Sequence, residues 1–176
     1  MSASLLLALL PPPDLSERVW AFRDRSGVRD AAAVPHITVK ARSGLDDSVG
    51  EVARAVAAKQ TTVRVQVGGP RLFSNGSALH LAVYSPGAVQ LHLALLDALR
   101  PAQRFGYEGP QMTPHLTLAL PRRGVQLPEL LADAEGAFAD LEWGPFVFTA
   151  RALTLMRKPG PGGIYAPVEE WPLGAD

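Results

Sequence analysis

The chain has 176 residues, enough for one ordinary domain or for two small lobes that share a core. Its 17 basic and 17 acidic residues balance, so a broad electrostatic surface for long nucleic acid is not expected, whereas a small phosphate pocket is compatible with this balance. The absence of cysteine excludes disulfides, thiolate catalysis and cysteine-based zinc or iron–sulfur sites.

An apolar run at residues 5–10 predicts a buried first strand that ends at prolines. The run has no basic residue ahead of it and is shorter than a secretory signal requires. No later run reaches the roughly 18 apolar residues of a membrane span. These patterns predict a cytoplasmic protein without a membrane partner.

The first half of the chain predicts the order strand, helix, strand, helix, strand. The five elements are expected at residues 5–10, 14–25, 35–42, 49–59 and 61–67. Asp14 is expected to cap the first helix, because its side-chain oxygen can accept a hydrogen bond from a free backbone N–H group. Gly68, Gly69 and Pro70 are expected to break the last strand, with residues 71–74 pairing back beyond the break.

The second half predicts a similar order. Its elements are expected at residues 78–84, 87–99, 112–120, 128–139 and 146–156, with a further extended segment at 164–173. The third element of each half contains a histidine motif. We infer an internal duplication at the level of structure.

Two of the four histidines lie in almost the same six-residue frame. The chain reads V-P-H-I-T-V at 34–39 and T-P-H-L-T-L at 113–118. Each frame has a proline, a histidine and, two positions after the histidine, a threonine. Duplicated strand edges with hydrogen-bonded histidines are the purely structural explanation of this repeat. Chance places these three residue types in one frame twice only rarely, so the repeat is the strongest functional signal in the sequence.

Side chains two positions apart on a strand point to one face of a sheet. His36 and Thr38 are therefore expected to project together, as are His115 and Thr117. The apolar residues beside them are expected to point into the core, and these are Ile37, Val39, Leu116 and Leu118. A pseudo-twofold relation between the halves would make the two pairs face each other across a cleft.

Two opposed histidines, each beside a hydroxyl group, suit in-line attack at a phosphodiester. With an unperturbed pKa of about 6.5, one imidazole can take a proton from the attacking water while the other gives a proton to the departing ribose oxygen. Threonine hydroxyls can donate hydrogen bonds to the non-bridging phosphate oxygens. This chemistry requires no metal and no cofactor, and the histidines lack the close spacing of metal ligands.

Two H-x-T motifs, each followed by an apolar residue, resemble the signature of the 2H phosphoesterase superfamily. Within it, the chain is similar to the bacterial 2′-5′ RNA ligase-like proteins, also called RNA 2′,3′-cyclic phosphodiesterases. The paired motifs carry the resemblance, and the total length and the closing G-G-I-Y-A-P-V-E-E-W-P-L agree with it. The resemblance extends over essentially the whole chain.

The resemblance implies a bilobal α+β fold, with two pseudo-twofold-related lobes of mostly antiparallel sheet, outer helices and a central groove, in one domain at residues 1–176. It also implies opening of a 2′,3′-cyclic phosphate to a 2′-phosphate, and the family name records reversible joining of RNA ends through a 2′-5′ bond. Mapped onto this chain, His36 and His115 form the acid/base pair, and Thr38 and Thr117 hold the phosphate. We expect His115 to be the base and His36 the acid.

The chain departs from the family pattern after both motifs. Relatives close to the RNA enzymes often have a basic residue soon after the second motif, where this chain has Leu120 followed by Pro121, Arg122 and Arg123. Either arginine can substitute, and Arg122 is the predicted substrate contact. After the first motif, Lys40 continues the i, i+2, i+4 face of the motif and is predicted to bind phosphate as a cation.

The remaining candidates have weaker signals. His80 is interpreted as a solvated or pocket-edge residue of a strand, and His92 as a surface residue of a helix. Phe73, Tyr107 and Tyr165 can stack on a base, and Tyr165 is favoured because it follows a flexible glycine-rich segment.

The sequence thus predicts a metal-independent phosphodiesterase that opens 2′,3′-cyclic phosphate ends of RNA or small nucleotides. The alternatives are a phosphodiesterase for another small cyclic or 2′-5′-linked nucleotide, a module that binds RNA ends without turnover, and an RNA-joining factor whose hydrolysis is incidental. RNA ends and small cyclic nucleotides are the expected partners, with no obligate protein partner. The neutral net charge favours short substrates.

Overall fold

The computed structural model describes residues 3–28, 33–42 and 44–174. Within these ranges the chain forms eight strands and five helices. The strands are β1 (Ser4–Leu9), β2 (Ile37–Lys40), β3 (Val63–Leu72), β4 (Leu79–Tyr84), β5 (His115–Ala119), β6 (Phe146–Ala150), β7 (Ala152–Lys158) and β8 (Ala166–Pro172). The helices are α1 (Pro13–Arg25), α2 (Val49–Lys59), α3 (Pro86–Leu99), α4 (Leu127–Ala137) and α5 (Ala139–Trp143).

The eight strands join one sheet in the order β6-β3-β4-β5-β2-β1-β7-β8, and every neighbouring pair is antiparallel. The unit β1-α1-β2 is repeated as β4-α3-β5, and the two units meet at the central pair of β2 and β5. Strands β7 and β8 extend the first unit, and β3 and β6 extend the second. This arrangement confirms the predicted α+β fold with two pseudo-twofold-related, antiparallel halves.

The main apolar core lies on one face of the sheet. Ile37 and Leu116 of the central strands are fully buried there, in one cluster with Phe22 of α1 and Leu91 of α3. Each such side chain stabilises the fold by about 1.5–3 kcal/mol through removal from water. A separate small cluster formed by alternate residues of β1 and a residue of β7 consists of Leu6, Ala8 and Met156. Because alternate strand residues point to opposite faces, this second cluster marks the other face of the sheet.

Two strand predictions are corrected by the sheet register. Strand β3 does not break at its glycines and proline but continues to Leu72, with a register shift between Val67 and Pro70. A bulge tolerates proline because no ladder hydrogen bond is required from it. The predicted strand at 146–156 is two strands separated at Arg151: β6 pairs with β3, and β7 pairs with β1 in the other half of the sheet.

The helices largely follow the predicted bounds. Helix α2 spans the predicted residues, whereas α5 is not among the predicted elements. Helix α1 begins at Pro13, and its N-cap residue, Pro12, makes no side-chain hydrogen bond, so Asp14 is not the cap. Proline suits the first helical turn because that turn leaves its N–H groups unpaired in any case. No helix in the described part of the chain has the length and apolar character that crossing a membrane requires.

Candidate active site

The two histidine motifs lie side by side at the centre of the sheet. Ile37 of β2 pairs with Leu116 of β5 in antiparallel register. One residue to either side, this register sets each histidine opposite the threonine of the other motif: His36 opposite Thr117, and His115 opposite Thr38. The two histidines are then diagonal neighbours, and positions in that relation lie about 7–8 Å apart. A spacing of this size between the strand positions is compatible with one phosphate group lying between the two side chains.

A β-bulge follows the threonine of each motif. Ala8 of β1 pairs with Thr38, but the preceding residue of β1, Leu7, pairs with Lys40. The same shift recurs in the other half, where His80 pairs with Thr117 and Leu79 pairs with Ala119. The extra residue is Val39 in the first half and Leu118 in the second. Both bulges therefore end the alternation of faces directly after the motif.

The bulge explains why the prediction for Lys40 is wrong. Lys40 shares the interior face of its partner Leu7 and is fully buried, as Leu7 is. Its ammonium group lies 2.9 Å from a carboxylate oxygen of Glu108 and donates a hydrogen bond of 2.8 Å to the carbonyl of Ala41. The side chain is thus committed to a buried ion pair and does not line the phosphate-sized space.

Both motif histidines are held in the same way by their own strand. The Nδ1 atom of His36 lies 2.8 Å from the carbonyl oxygen of Val34, and Nδ1 of His115 lies 3.0 Å from the carbonyl oxygen of Thr113. A carbonyl only accepts, so Nδ1 carries the proton in each ring, and each neutral ring keeps the lone pair on Nε2. In both motifs the hydrogen bond spans the intervening proline.

Burial keeps both imidazoles neutral in the free protein. It lowers the pKa of His36 to about 4, and the nearby charges of Arg23 and His115 act in the same direction, whereas the hydrogen bond to Val34 opposes the change. Burial also lowers the pKa of His115. At neutral pH each Nε2 is therefore available to accept a proton.

A cavity of about 580 Å³ opens over the motif strands. Thr38, His115 and Thr117 line it, while half-buried His36 lies beside Thr117 on the adjacent strand, outside the lining. The volume is within the range of about 300–1,000 Å³ typical of small-molecule sites. The cavity therefore joins the two threonines and one histidine in a space that a nucleotide can fill.

Aromatic side chains form much of the cavity wall. Tyr165 lines the cavity and packs against the small cluster on this face of the sheet, and its carbonyl accepts a 3.1 Å hydrogen bond from the N–H group of Val34. The rings of Phe105 and Tyr107 stack with centroids 5.3 Å apart, and the guanidinium of Arg42 lies 5.8 Å from the ring centre of Phe105. These flat groups offer a surface on which a base can stack.

Two further aromatic rings flank His115. Phe73, a predicted substrate contact, lines the cavity and meets the His115 ring edge-on at 4.9 Å. His80 is buried, stacks on Phe73 at 4.0 Å and lies 5.4 Å from the His115 ring. Burial, followed by the charge of His115, lowers the pKa of His80 to about 4. The solvated alternative for His80 is therefore wrong, whereas its contacts with Phe73 and His115, which line the cavity, agree with the pocket-edge alternative.

Arg122 is not brought into the cavity. It is exposed in the turn after β5, whereas the partly exposed side chain of Leu120 lines the cavity. Because β5 ends at Ala119 and Arg122 lies in the following turn, strand alternation does not determine the direction of its side chain.

The wall at residues 105–112 is held by two buried polar residues, Glu108 and His92, whose roles the sequence did not indicate. Glu108, the partner of Lys40, accepts a 3.0 Å hydrogen bond from the N–H group of Phe105. His92, predicted to be on the surface, is buried: its Nδ1 lies 2.7 Å from the carbonyl oxygen of Val39, and its Nε2 accepts a 2.9 Å hydrogen bond from the N–H group of Gly109. Val39 lies 53 residues from His92, and Lys40 is even more remote from Glu108, so no local pattern could reveal these two contacts.

The chain was compared with protein families, with curated sequences and with solved structures. The family model of the 2′-5′ RNA ligase superfamily matches residues 11–162. No curated protein sequence matches the chain. Similar solved structures include E. coli LigT complexed with 3′-AMP, at 16% identity and a TM-score of 0.63 over 99% of this chain and 100% of that chain. A phosphoesterase is 17% identical, with a TM-score of 0.66 over 99% of this chain and 100% of that chain. A protein of Thermus thermophilus, TT0787, is 17% identical, with a TM-score of 0.62 over 97% of each chain.

At these identities the structural likeness shows a shared fold. Since the family model matches most of its length, the chain belongs to the 2′-5′ RNA ligase superfamily, and the resemblance drawn from the motifs is confirmed. This membership supports phosphodiesterase-type activity.

Proposed function

We propose that the protein is a metal-independent phosphodiesterase that opens the 2′,3′-cyclic phosphate of RNA ends or small nucleotides to a 2′-phosphate. The observation that supports this most is the register of β2 and β5, which sets two Nδ1-anchored imidazoles diagonally about a space for one phosphate. Family membership supports the reaction class.

In the proposed reaction, water attacks phosphorus in line with the ribose 3′-oxygen. Nε2 of His115 takes a proton from the water as the P–O bond forms. Nε2 of His36 gives its proton to the 3′-oxygen as the other P–O bond breaks, and exchange with solvent then restores both rings. Each transfer contributes about 10²–10⁴-fold to the rate. The product keeps its phosphate on the 2′-oxygen.

The acid of the proposed reaction becomes protonated only when the substrate is bound. Both imidazoles are neutral in the free protein because burial lowers their pKa values, so neither is yet an acid. A phosphate anion between the rings favours one imidazolium, and repulsion between two neighbouring imidazoliums disfavours protonation of the second ring, so one ring stays neutral as the base. The acid is therefore charged when the anion binds.

The threonines and the cavity wall account for the remaining contacts. Thr38 and Thr117 donate hydrogen bonds to the non-bridging oxygens, where charge increases in the transition state. The base stacks against Tyr165 or Phe73. Every base has a flat face that can stack on an aromatic ring, so this contact does not depend on the identity of the base. If a 5′-hydroxyl replaces water at phosphorus, the same site forms a 2′-5′ bond, which makes reversible ligation of RNA ends compatible with this geometry.

Product analysis tests the proposal directly. Uridine 2′,3′-cyclic phosphate and an oligonucleotide with a 2′,3′-cyclic end are incubated with the protein in EDTA, and the products are separated by chromatography. We expect the 2′-phosphate as sole product and no loss of rate in the chelator. A 3′-phosphate product, or abolition of turnover by EDTA, contradicts the proposal, and tight binding without turnover would indicate a binding module instead.

A further inference from the structure

Arg23 is a buried guanidinium of α1 that contacts the second histidine motif and the residue just ahead of the first. Its Nε donates a 3.0 Å hydrogen bond to the carbonyl of Leu118, and one terminal nitrogen donates a 2.8 Å hydrogen bond to the carbonyl of Thr117. The other terminal nitrogen donates a 2.7 Å hydrogen bond to the carbonyl of Ala33, just ahead of the first motif. Only 3% of the residue is exposed, and burial lowers its pKa to about 10.

The carbonyls that Arg23 binds are those of the second bulge. In a regular strand, successive carbonyls point to opposite neighbours, so one side chain does not bind both. Thr117 and Leu118 present their oxygens to one guanidinium because the bulge interrupts the ladder between them. Arg23 thus binds two carbonyls at the bulge and links them to Ala33, in the segment that leads into β2.

His92 occupies the corresponding place in the other half. It comes from α3, the counterpart of α1, and its Nδ1 donates to the carbonyl of Val39, which follows Thr38 as Leu118 follows Thr117. Its Nε2 accepts from the N–H group of Gly109, in the segment that leads into β5. Each of the two side chains therefore ties the bulge after one motif to the segment ahead of the other motif.

We propose that Arg23 and His92, here called the motif braces, are paired positioning residues that fix the separation and orientation of His36 and His115. The kinetic test of this inference rests on the proposed function, because it measures turnover. The NMR titration of His36 does not depend on that function. Arg23 does not line the cavity, and His92, which does line it, uses both of its ring nitrogens in the backbone hydrogen bonds to Val39 and Gly109. Loss of a brace allows the central strands to shift, and displacement of a reacting group by about 1 Å can cost about 10²-fold in rate.

The two braces differ in charge, and this gives Arg23 a second effect. The charged or titratable groups that act on His36 are Arg23 from α1 and, when it is protonated, His115 from β5, and both lower the pKa of His36. Removal of the Arg23 charge therefore raises the pKa of His36. Whichever proton His36 transfers, the limb of the pH–rate profile that it controls should move to higher pH.

The test compares Arg23→Gln, Arg23→Lys and His92→Leu with Arg25→Gln, which changes an exposed arginine of the same helix. Turnover of uridine 2′,3′-cyclic phosphate gives kcat and KM, and NMR titration of the imidazoles gives the pKa of His36.

For Arg23→Gln we expect kcat to fall by about 10²-fold, KM to change little, and the pKa of His36 to rise. Arg23→Lys should leave the pKa of His36 unchanged but lower kcat, because lysine keeps the positive charge and cannot make the three hydrogen bonds of the guanidinium. His92→Leu should lower kcat without moving the pKa of His36 upward, and Arg25→Gln should behave as the wild type.

The outcomes separate this inference from the proposed function. A folded Arg23→Gln variant with wild-type kcat and an unchanged His36 titration overturns the inference while wild-type turnover stands. If the wild type shows no turnover, the proposed function fails. The inference is then tested by NMR titration alone, and an unchanged pKa of His36 in Arg23→Gln contradicts it. If Arg23→Gln does not fold, Arg23→Lys decides: full kcat in that variant contradicts the positioning role.

Discussion

The two halves of the molecule place their histidines with the same backbone but surround them differently. In both, Nδ1 donates to the carbonyl two residues earlier, and a bulge follows the threonine. The neighbours then diverge: the position of Ala8 in the first half is that of His80 in the second, and Lys40 corresponds to Ala119. The comparison teaches that the backbone frame of the motif is shared, while the side chains around it are specific to each half.

This asymmetry leads to different environments for two equivalent imidazoles. His36 lies near the buried charge of Arg23, whereas His115 lies among neutral aromatic rings and faces the cavity. Two rings with equal anchoring can therefore take different roles in one reaction. The following predictions test how far the equivalence extends.

The largest expected effect separates the roles of the two histidines. His36→Ala and His115→Ala should each reduce turnover of a 2′,3′-cyclic nucleotide by about 10²–10⁴-fold. With bis(p-nitrophenyl) phosphate, whose leaving group departs without a proton, His36→Ala should retain much more activity than His115→Ala. The opposite pattern would exchange acid and base, and equal losses on both substrates would contradict a division of roles.

The next effect concerns stability and arises at Lys40, whose counterpart in the second half is the uncharged Ala119. Glu108→Gln leaves the buried ammonium of Lys40 without its counter-charge, and loss of one partner of such a pair destabilises by about 3–5 kcal/mol. Thermal unfolding should show this as a lower Tm, and the double variant Lys40→Met/Glu108→Leu should recover most of the loss. A Lys40→Ala variant with unchanged Tm and a higher KM would instead restore the role in phosphate binding.

The threonines should behave alike in both halves. Thr38→Val and Thr117→Val each remove a hydrogen bond to a charged phosphate, worth about 1.5–3 kcal/mol, so kcat/KM should fall by about 10–150-fold. Thr→Ser at the same positions is the matched control and should retain most of the activity. A large loss at one threonine and none at the other would show that the pseudo-twofold does not extend to phosphate binding.

The smallest effect makes the second half resemble the first. His80→Ala places in β4 the residue type that β1 has at Ala8, and it removes a ring that covers His115. Because burial lowers the pKa of His115, better access of water should raise that pKa by less than about one unit. NMR titration measures the change, and a fall in the pKa of His115 would contradict this explanation. Phe73→Leu should act in the same direction.

Much of this organisation follows from local sequence patterns. Helix α2 is predicted at its observed bounds because its apolar positions recur with the helical period. The orientation of the motif side chains also follows from strand alternation, since Ile37 and Leu116 are fully buried while His36 and His115 are not.

The features that sequence reasoning missed depend on distant partners. Strand alternation assigns Lys40 to the wrong face because a bulge is defined by the neighbouring strand, not by the strand that contains it. In the sequence Arg23 looks like an ordinary surface charge of a helix, yet its Nε donates a hydrogen bond to the carbonyl of Leu118, 95 residues away. His92 and Glu108 gain their roles only when the wall at 105–112 packs on the central strands.

The central claim is that His36 and His115 act together on one phosphorus atom. The most direct test compares the double variant His36→Ala/His115→Ala with the two single variants on uridine 2′,3′-cyclic phosphate. Groups that act as a unit show strongly non-additive losses, so the double variant should be about as slow as the slower single variant. Losses that multiply in the double variant would show that the two imidazoles work independently and would contradict the account.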